Sequence, residues 1–129
     1  RIPPGGHVDR DELPHEAGIR EVREETGLEP TLLRETAAID APAGEVLPQP
    51  AHMMLYDIDV YPDGAVGHQH IDHVYFAAVD SRTIDPDDGE ADAAVWEWYT
   101  VDDLRASEID SDTVDIGCEA IQAVDRADL

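Results

Sequence analysis

Gly6-His-Val-Asp-Arg-Asp-Glu12, followed seven residues later by Arg20-Glu21-Val22-Arg23-Glu24-Glu25-Thr26-Gly27-Leu28, is the stretch on which the reading of this chain turns. Placed on a helix at 100° per residue, Glu21, Glu24 and Glu25 fall within one third of the circumference, with Arg20 one turn before Glu24 on the same side. Carboxylates at i, i+3 and i+4 repel one another by roughly 0.2–0.5 kcal/mol per pair. Glu24 and Glu25 also lie in the expected last turn, where the helix dipole disfavours negative charge. A segment that breaks two local rules at one place is usually holding something positive there. Carboxylate oxygens are the ligands of hard divalent cations.

Charge is the outlier of the composition. Against 31 Asp and Glu the 129 residues carry 8 Lys and Arg, a formal net charge of −23. All the basic residues are arginine, and aspartate outnumbers glutamate. The acids are spread along the chain rather than gathered into a tail. Self-repulsion of this size destabilises a compact fold in dilute salt. At molar salt the Debye length shrinks to about 3 Å and most of that penalty disappears. An Asp-rich surface without lysine looks like that of proteins from extreme halophiles. Nucleic acid and anionic membranes are poor partners for it, whereas a small anion could be held through bridging cations or a local arginine.

With 42% hydrophobic residues the chain is expected to be globular, and its length suits one domain over residues 1–129. The lone Cys118 excludes an internal disulfide and reads as a small buried hydrophobe. Neither a signal peptide nor a long apolar run is seen, so a soluble cytoplasmic protein is expected.

Working outward from the acidic helix, Pro14 suits its first turn and Gly27 the position just past its end. Ile19, Val22 and Thr26 form a neighbouring face that would pack on a sheet. Residues 31–39 read as a strand, and residues 40–50, with three prolines, as a loop. Met53 to Tyr61 alternates as a strand should, Pro62-Asp-Gly64 turns the chain, and His70 to Val79 reads as the strongest strand. An acidic loop over 81–93 precedes a short strand at 95–99. Thr100 can cap a short helix, and Ser111 or Asp112 starts a last one with Val114, Cys118, Ile121 and Val124 as its apolar stripe. Helix, strands, then two helices predict an α/β class with a mixed sheet covered by helices on both faces.

Gly6, five residues, Glu12, seven residues, then Arg20-Glu21-Val22-x-Glu24-Glu25-x-Gly27-Leu28 resembles a complete Nudix box. This composition would produce the Gly, Glu and Arg positions by chance at a frequency on the order of 10⁻⁶. A solvated acidic face accounts for Asp9, Asp11 and Glu16, but not for the joint spacing of two glycines, the arginine and four glutamates. The resemblance implies a Nudix-type α/β/α sandwich with a mixed β-sheet between helices. It further implies metal-dependent hydrolysis, by water attack on phosphorus, of a nucleoside diphosphate linked to another group. ADP-ribose, nucleoside triphosphates and dinucleoside polyphosphates are the substrate types to expect. Glu24 and Glu25 would ligate Mg²⁺ or Mn²⁺, with Glu21 completing the site and a carbonyl of Gly5 or Gly6 adding a ligand. Glu21, Glu24 and Arg20 would form the catalytic group, Arg20 by orienting a glutamate. Gly6, Glu12 and Gly27 would hold the loop–helix–loop together, Glu12 through an ion pair.

Such domains carry strands ahead of the box, and here only five residues precede Gly6. The expectation is that these strands are missing from the chain, which would expose a sheet edge prone to pairing; a partner chain supplying them is the less favoured alternative, and a homodimer is a separate possibility. The competing functional reading is a catalytically silent module that binds a nucleotide or metabolite as a sensor; the complete glutamate set argues against it.

Residues outside the box stay open between function and packing. The general base is either Glu21 or a glutamate from a distant loop, for which Glu90 and Glu97 are candidates beside their reading as plain surface acids. His68, His70 and His73 crowd around Asp72. His68 and His70 could contact substrate phosphate or ribose, the group could hold a second metal, or the imidazoles are sheet-edge residues bonded to neighbours. Trp96, Trp98, Tyr56 and Tyr75 could stack on a base or pack in the core.

Overall fold

Pro14 opens the first helix because a first-turn residue needs no N–H donor. In the computed structural model, which describes residues 2–33 and 39–127, α1 spans Pro14–Thr26. The Leu13 N–H donates to Glu16 Oε1 at 2.9 Å, so Glu16 closes the N-terminal turn rather than being only a solvated acid. At the other end Gly27 adopts φ 71°, the left-handed conformation that a residue without Cβ enters at least cost, and its N–H donates to the Arg23 carbonyl. Thr26 is buried, donating its hydroxyl to the Val22 carbonyl at 2.5 Å and accepting the Leu28 N–H at 3.2 Å.

The chain divides into two units, Arg1–Leu33 with Phe76–Leu129, and Arg34–Tyr75. In the first, β1 (Thr31–Leu32) pairs antiparallel with β4 (Ala77–Ala78), Thr31 opposite Ala78. The Leu33 N–H extends the pairing to the Phe76 carbonyl at 3.0 Å. Of the strand expected at 31–39, residues 34–38 lie outside the described residues.

Further along this unit, a 3₁₀ turn at Ala93–Val95 replaces the start of the strand expected at 95–99, and residues 96–99 are irregular. Asp92 decides this locally, its carboxylate accepting the Ala94 N–H at 2.9 Å in a turn that competes with extended backbone. Thr100 caps α2 (Val101–Arg105), the Thr100 hydroxyl and the Asp103 carboxylate each accepting the other's backbone N–H. The long α3 (Ser111–Arg126) packs on α2 where buried Leu104 lies 3.0 Å from the place a Cβ on Gly117 would take. Glycine costs about 1 kcal/mol in a helix interior, and here it admits Leu104. Among the described residues Ala17, Leu28, Leu104 and Cys118 are buried hydrophobic side chains.

The second unit is a hairpin. β2 (His52–Val60) pairs antiparallel with β3 (Val66–Val74) in a register running from His52–Val74 to Val60–Val66. Its turn uses Gly64 at φ 86°, with Asp63 Oδ1 accepting the Ala65 N–H at 3.0 Å. Two register shifts near Asp57–Val60 skip Ile58, so the expected alternation of Tyr56, Ile58 and Val60 is broken. The strand expected at 70–79 therefore begins earlier, at Val66, and stops at Val74; β4 takes a different partner. Among the described residues the pairings β1–β4 and β2–β3 are antiparallel, and no helix is long and apolar enough to cross a membrane.

Candidate active site

Arg20 ties the loop to the helix. Its Nε donates to Glu12 Oε2 at 2.8 Å and its Nη2 to Glu12 Oε1 at 3.1 Å, a two-pronged pair matching the planar guanidinium fork. Nη2 also donates to the His7 carbonyl at 3.0 Å. On the helix side Nη1 donates to Glu21 Oε1 at 2.8 Å and Glu24 Oε2 at 3.1 Å. Asp9 adds a carboxylate oxygen 3.5 Å from Nε. So many acids hold the guanidinium pKa well above its usual value, the bonds to Glu12 and then Glu21 contributing most. Glu12 is held below the usual glutamate range, first by Arg20 and then by the Asp9 N–H, which donates to Glu12 Oε1 at 2.9 Å.

Glu25 lies outside Arg20's reach and has a different environment. Burial pushes its carboxyl pKa up; the Gly5 N–H, donating to Oε1 at 2.9 Å, pulls it down. The Glu21 and Glu90 charges raise it further. A Cβ on Gly6 would stand 2.9 Å from Glu21 Oε2 and closer still to Oε1, so a larger residue there would push the Glu21 carboxylate aside. The role of Gly5 seen here is its amide on Glu25, a contact that sequence spacing does not announce.

The donor set suits a hard cation. The Glu21 charge disfavours ionisation of Glu25, an arrangement that costs free energy until a proton or a cation joins them. Among the described residues no three His, Cys, Asp or Glu groups converge into a preformed cage. Arg20 takes Glu21 Oε1 and Glu24 Oε2, and a Mg²⁺ held by these glutamates would draw few of its ligands from the protein, so a full cage is not needed.

Loop 81–92 reaches the same helix. The Asp85 N–H donates to the Thr26 carbonyl and the Asp87 N–H to the Glu24 carbonyl, both at 2.8 Å. The Glu90 N–H turns back onto the Asp87 carbonyl at 3.1 Å. Glu90 follows this anchor by three residues, and its charge is the last of the influences that raise Glu25. The Glu97 carboxylate accepts the Tyr99 hydroxyl at 3.0 Å, beside Ser107, Glu108 and Ile109. His68 and His70 belong to the hairpin unit, their rings edge to face at 4.8 Å. Trp98 is engaged by Arg82, its Nε1 donating to the Arg82 carbonyl at 3.3 Å.

The NUDIX domain model matches residues 2–116. This chain belongs to the Nudix family. A solved structure described as a hydrolase of the NUDIX family from Clostridium perfringens is similar to it, with a TM-score of 0.80 and 34% identity over 95% of this chain and 80% of that one. No curated protein gives a significant match. The fold is accordingly the α/β Nudix fold, and the protein is a hydrolase of pyrophosphate bonds in small nucleoside diphosphate derivatives. Nudix hydrolases generally use divalent metals such as Mg²⁺ or Mn²⁺.

Proposed function

We propose that this Nudix hydrolase is a Mg²⁺- or Mn²⁺-dependent pyrophosphohydrolase of the ADP-ribose, nucleoside triphosphate or dinucleoside polyphosphate type, with Glu21, Glu24 and Glu25 as metal ligands. The observation that carries the reading is that Arg20 Nη1 gathers the Glu21 and Glu24 carboxylates at 2.8 and 3.1 Å, on the helix whose Glu25 is held by the Gly5 amide. A cation bound there would neutralise the pyrophosphate, make an attacking water more acidic and steady the leaving phosphate.

The chain's own groups divide the remaining work. Arg20 orients Glu21 and Glu24 through Nη1 and is itself held by Glu12. The Gly5 amide fixes the rotamer of Glu25. Glu90, three residues beyond the Asp87 anchor, is the general base that takes the proton from water, with Glu21 the other carboxylate in reach of the site.

A substrate panel in molar KCl with Mg²⁺ or Mn²⁺ tests the proposal. Turnover of one pyrophosphate class, abolished by chelator, is expected. Nucleotide binding without turnover of any member would establish a sensor instead. The acidic, lysine-free composition supports a protein adapted to high salt, which is why the assay belongs there.

A further inference from the structure

The last helical turn of α1 leaves carbonyls without intrahelical partners, and the fold assigns them unusual donors. The Gly27 N–H takes the Arg23 carbonyl at 2.9 Å. The Glu24 and Thr26 carbonyls are taken by the amides of Asp87 and Asp85, from a segment almost sixty residues downstream. Two backbone bonds in alternation resemble a short strand pairing made by a helix end. They require the Asp85 backbone to approach the helix terminus very closely. A Cβ on Gly27 would stand 3.0 Å from the Asp85 carbonyl carbon, nearer still to its oxygen, and 3.2 Å from the Asp85 Cβ. These neighbours include main chain, which cannot swing aside as a side chain does.

Gly27 therefore meets two separate demands. One is the left-handed cap, at φ 71°, which asparagine also tolerates. The other is the space for Asp85, which only glycine leaves. Beyond the two anchors the chain reverses through Glu90 N–H to Asp87 O and Gly89 at φ 88°, so the course of the segment up to Glu90 is set by where Asp85 and Asp87 are held.

We propose that Gly27 is a positioning residue for the reaction: by admitting the Asp85 backbone it lets the 85–87 segment latch onto the metal-site helix and so sets Glu90 over the glutamate face. The proposal rests on the role given to Glu90 above. A displacement of about 1 Å in such a group can cost on the order of 10²-fold in rate.

The test compares Gly27→Asn with Gly27→Ala in the full chain with Mg²⁺ in molar KCl, alone and combined with Glu90→Gln. Asparagine keeps the cap but not the space, so Gly27→Asn should unfold closer to wild type than Gly27→Ala. It should nonetheless lose kcat on the order of 10²-fold, with an unchanged Mg²⁺ activation constant. Amide exchange at Asp85 and Asp87 should accelerate in Gly27→Asn, while amides in the middle of α1 keep their protection. In the Glu90→Gln background the same substitution should cost little more, because the group it misplaces is already gone. Unchanged exchange at Asp85 and Asp87 overturns the latch, and so does an equal kcat loss in both backgrounds. Wild-type turnover by Glu90→Gln overturns the role given to Glu90 instead. The latch then stands or falls on the exchange measurement alone.

Discussion

The Gly5–Gly27 segment and the β2–β3 hairpin contain similar amounts of sequence but are organised by opposite means. In the first, side chains carry the structure: Arg20 alone joins Glu12, Glu21, Glu24 and the His7 carbonyl. In the second, the backbone ladder carries it, and large apolar side chains such as Met53, Leu55 and Ile71 stay more than 60% exposed. A ladder is indifferent to most side chains, so its sequence can vary. A charge cluster is not, because removing one member leaves the others unpaired. Substitutions should therefore be felt far more sharply in α1 and its loops than in the hairpin.

The largest expected effect comes from neutralising a proposed ligand. Glu24→Gln and Glu25→Gln should each lower kcat by orders of magnitude, on the scale of about 10²–10³ for losing one preorganised electrostatic group. Circular dichroism in molar salt should show the fold intact. Wild-type turnover in both variants would remove the metal site from this face of α1. Next is the whole-molecule effect of salt. With a net charge of −23, the thermal midpoint in dilute buffer should lie far below that in molar KCl. A midpoint independent of salt would break the link between composition and environment.

The guanidinium clasp comes third. Arg20→Lys keeps the charge but loses the fork, and should lower both the thermal midpoint and kcat, whereas Arg23→Lys, on a surface pair with Glu29, should leave turnover unchanged. Equal effects at the two arginines would contradict the division of roles along α1.

Acid should dissect the same cluster. Glu12 is held below its usual range in the folded state, so its contribution to stability is full above the unfolded value and is lost as pH falls through the folded one. Glu25 is shifted the other way. In the metal-free chain its contribution favours folding at low pH and is lost as pH rises through the raised value. Metal must displace that proton, so Mg²⁺ affinity should weaken as pH falls through the Glu25 transition, and Glu25→Gln should flatten this dependence. Calorimetric titration at several pH values measures it; an affinity flat with pH in the wild type would sink the assignment. The smallest effects belong to the hairpin. Leu55→Ser and Ile71→Ser, at exposed positions, should change stability by no more than about 0.5 kcal/mol in urea unfolding.

The difference between the regions also explains what could be read from the chain. The helix Pro14–Thr26, its glycine stop and the juxtaposition of Arg20 with Glu24 follow from i, i+4 spacing, because helical geometry is local. The caps at Thr100 and Gly27 are legible for the same reason. The strand expected at 70–79 is instead divided at Tyr75–Phe76 between two partners, which no local pattern reports, because each strand is defined by the chain beside it. Glu90 and Glu97 are indistinguishable as sequence. In the folded chain Glu90 follows the Asp87 anchor on Glu24, whereas the Glu97 carboxylate accepts the Tyr99 hydroxyl.

Spacing alone thus determined the family, the acidic face and the arginine within it, since one helix places all of these through its own periodicity. Tertiary structure decided which outside groups join them. The Gly5 amide on Glu25, the His7 carbonyl on Arg20 and the 85–87 backbone on the end of α1 are main-chain contacts. Every residue offers nearly the same amide and carbonyl, so the sequence carries no mark of which ones will be used. Only the folded chain, by bringing Asp85 against Gly27, selects them.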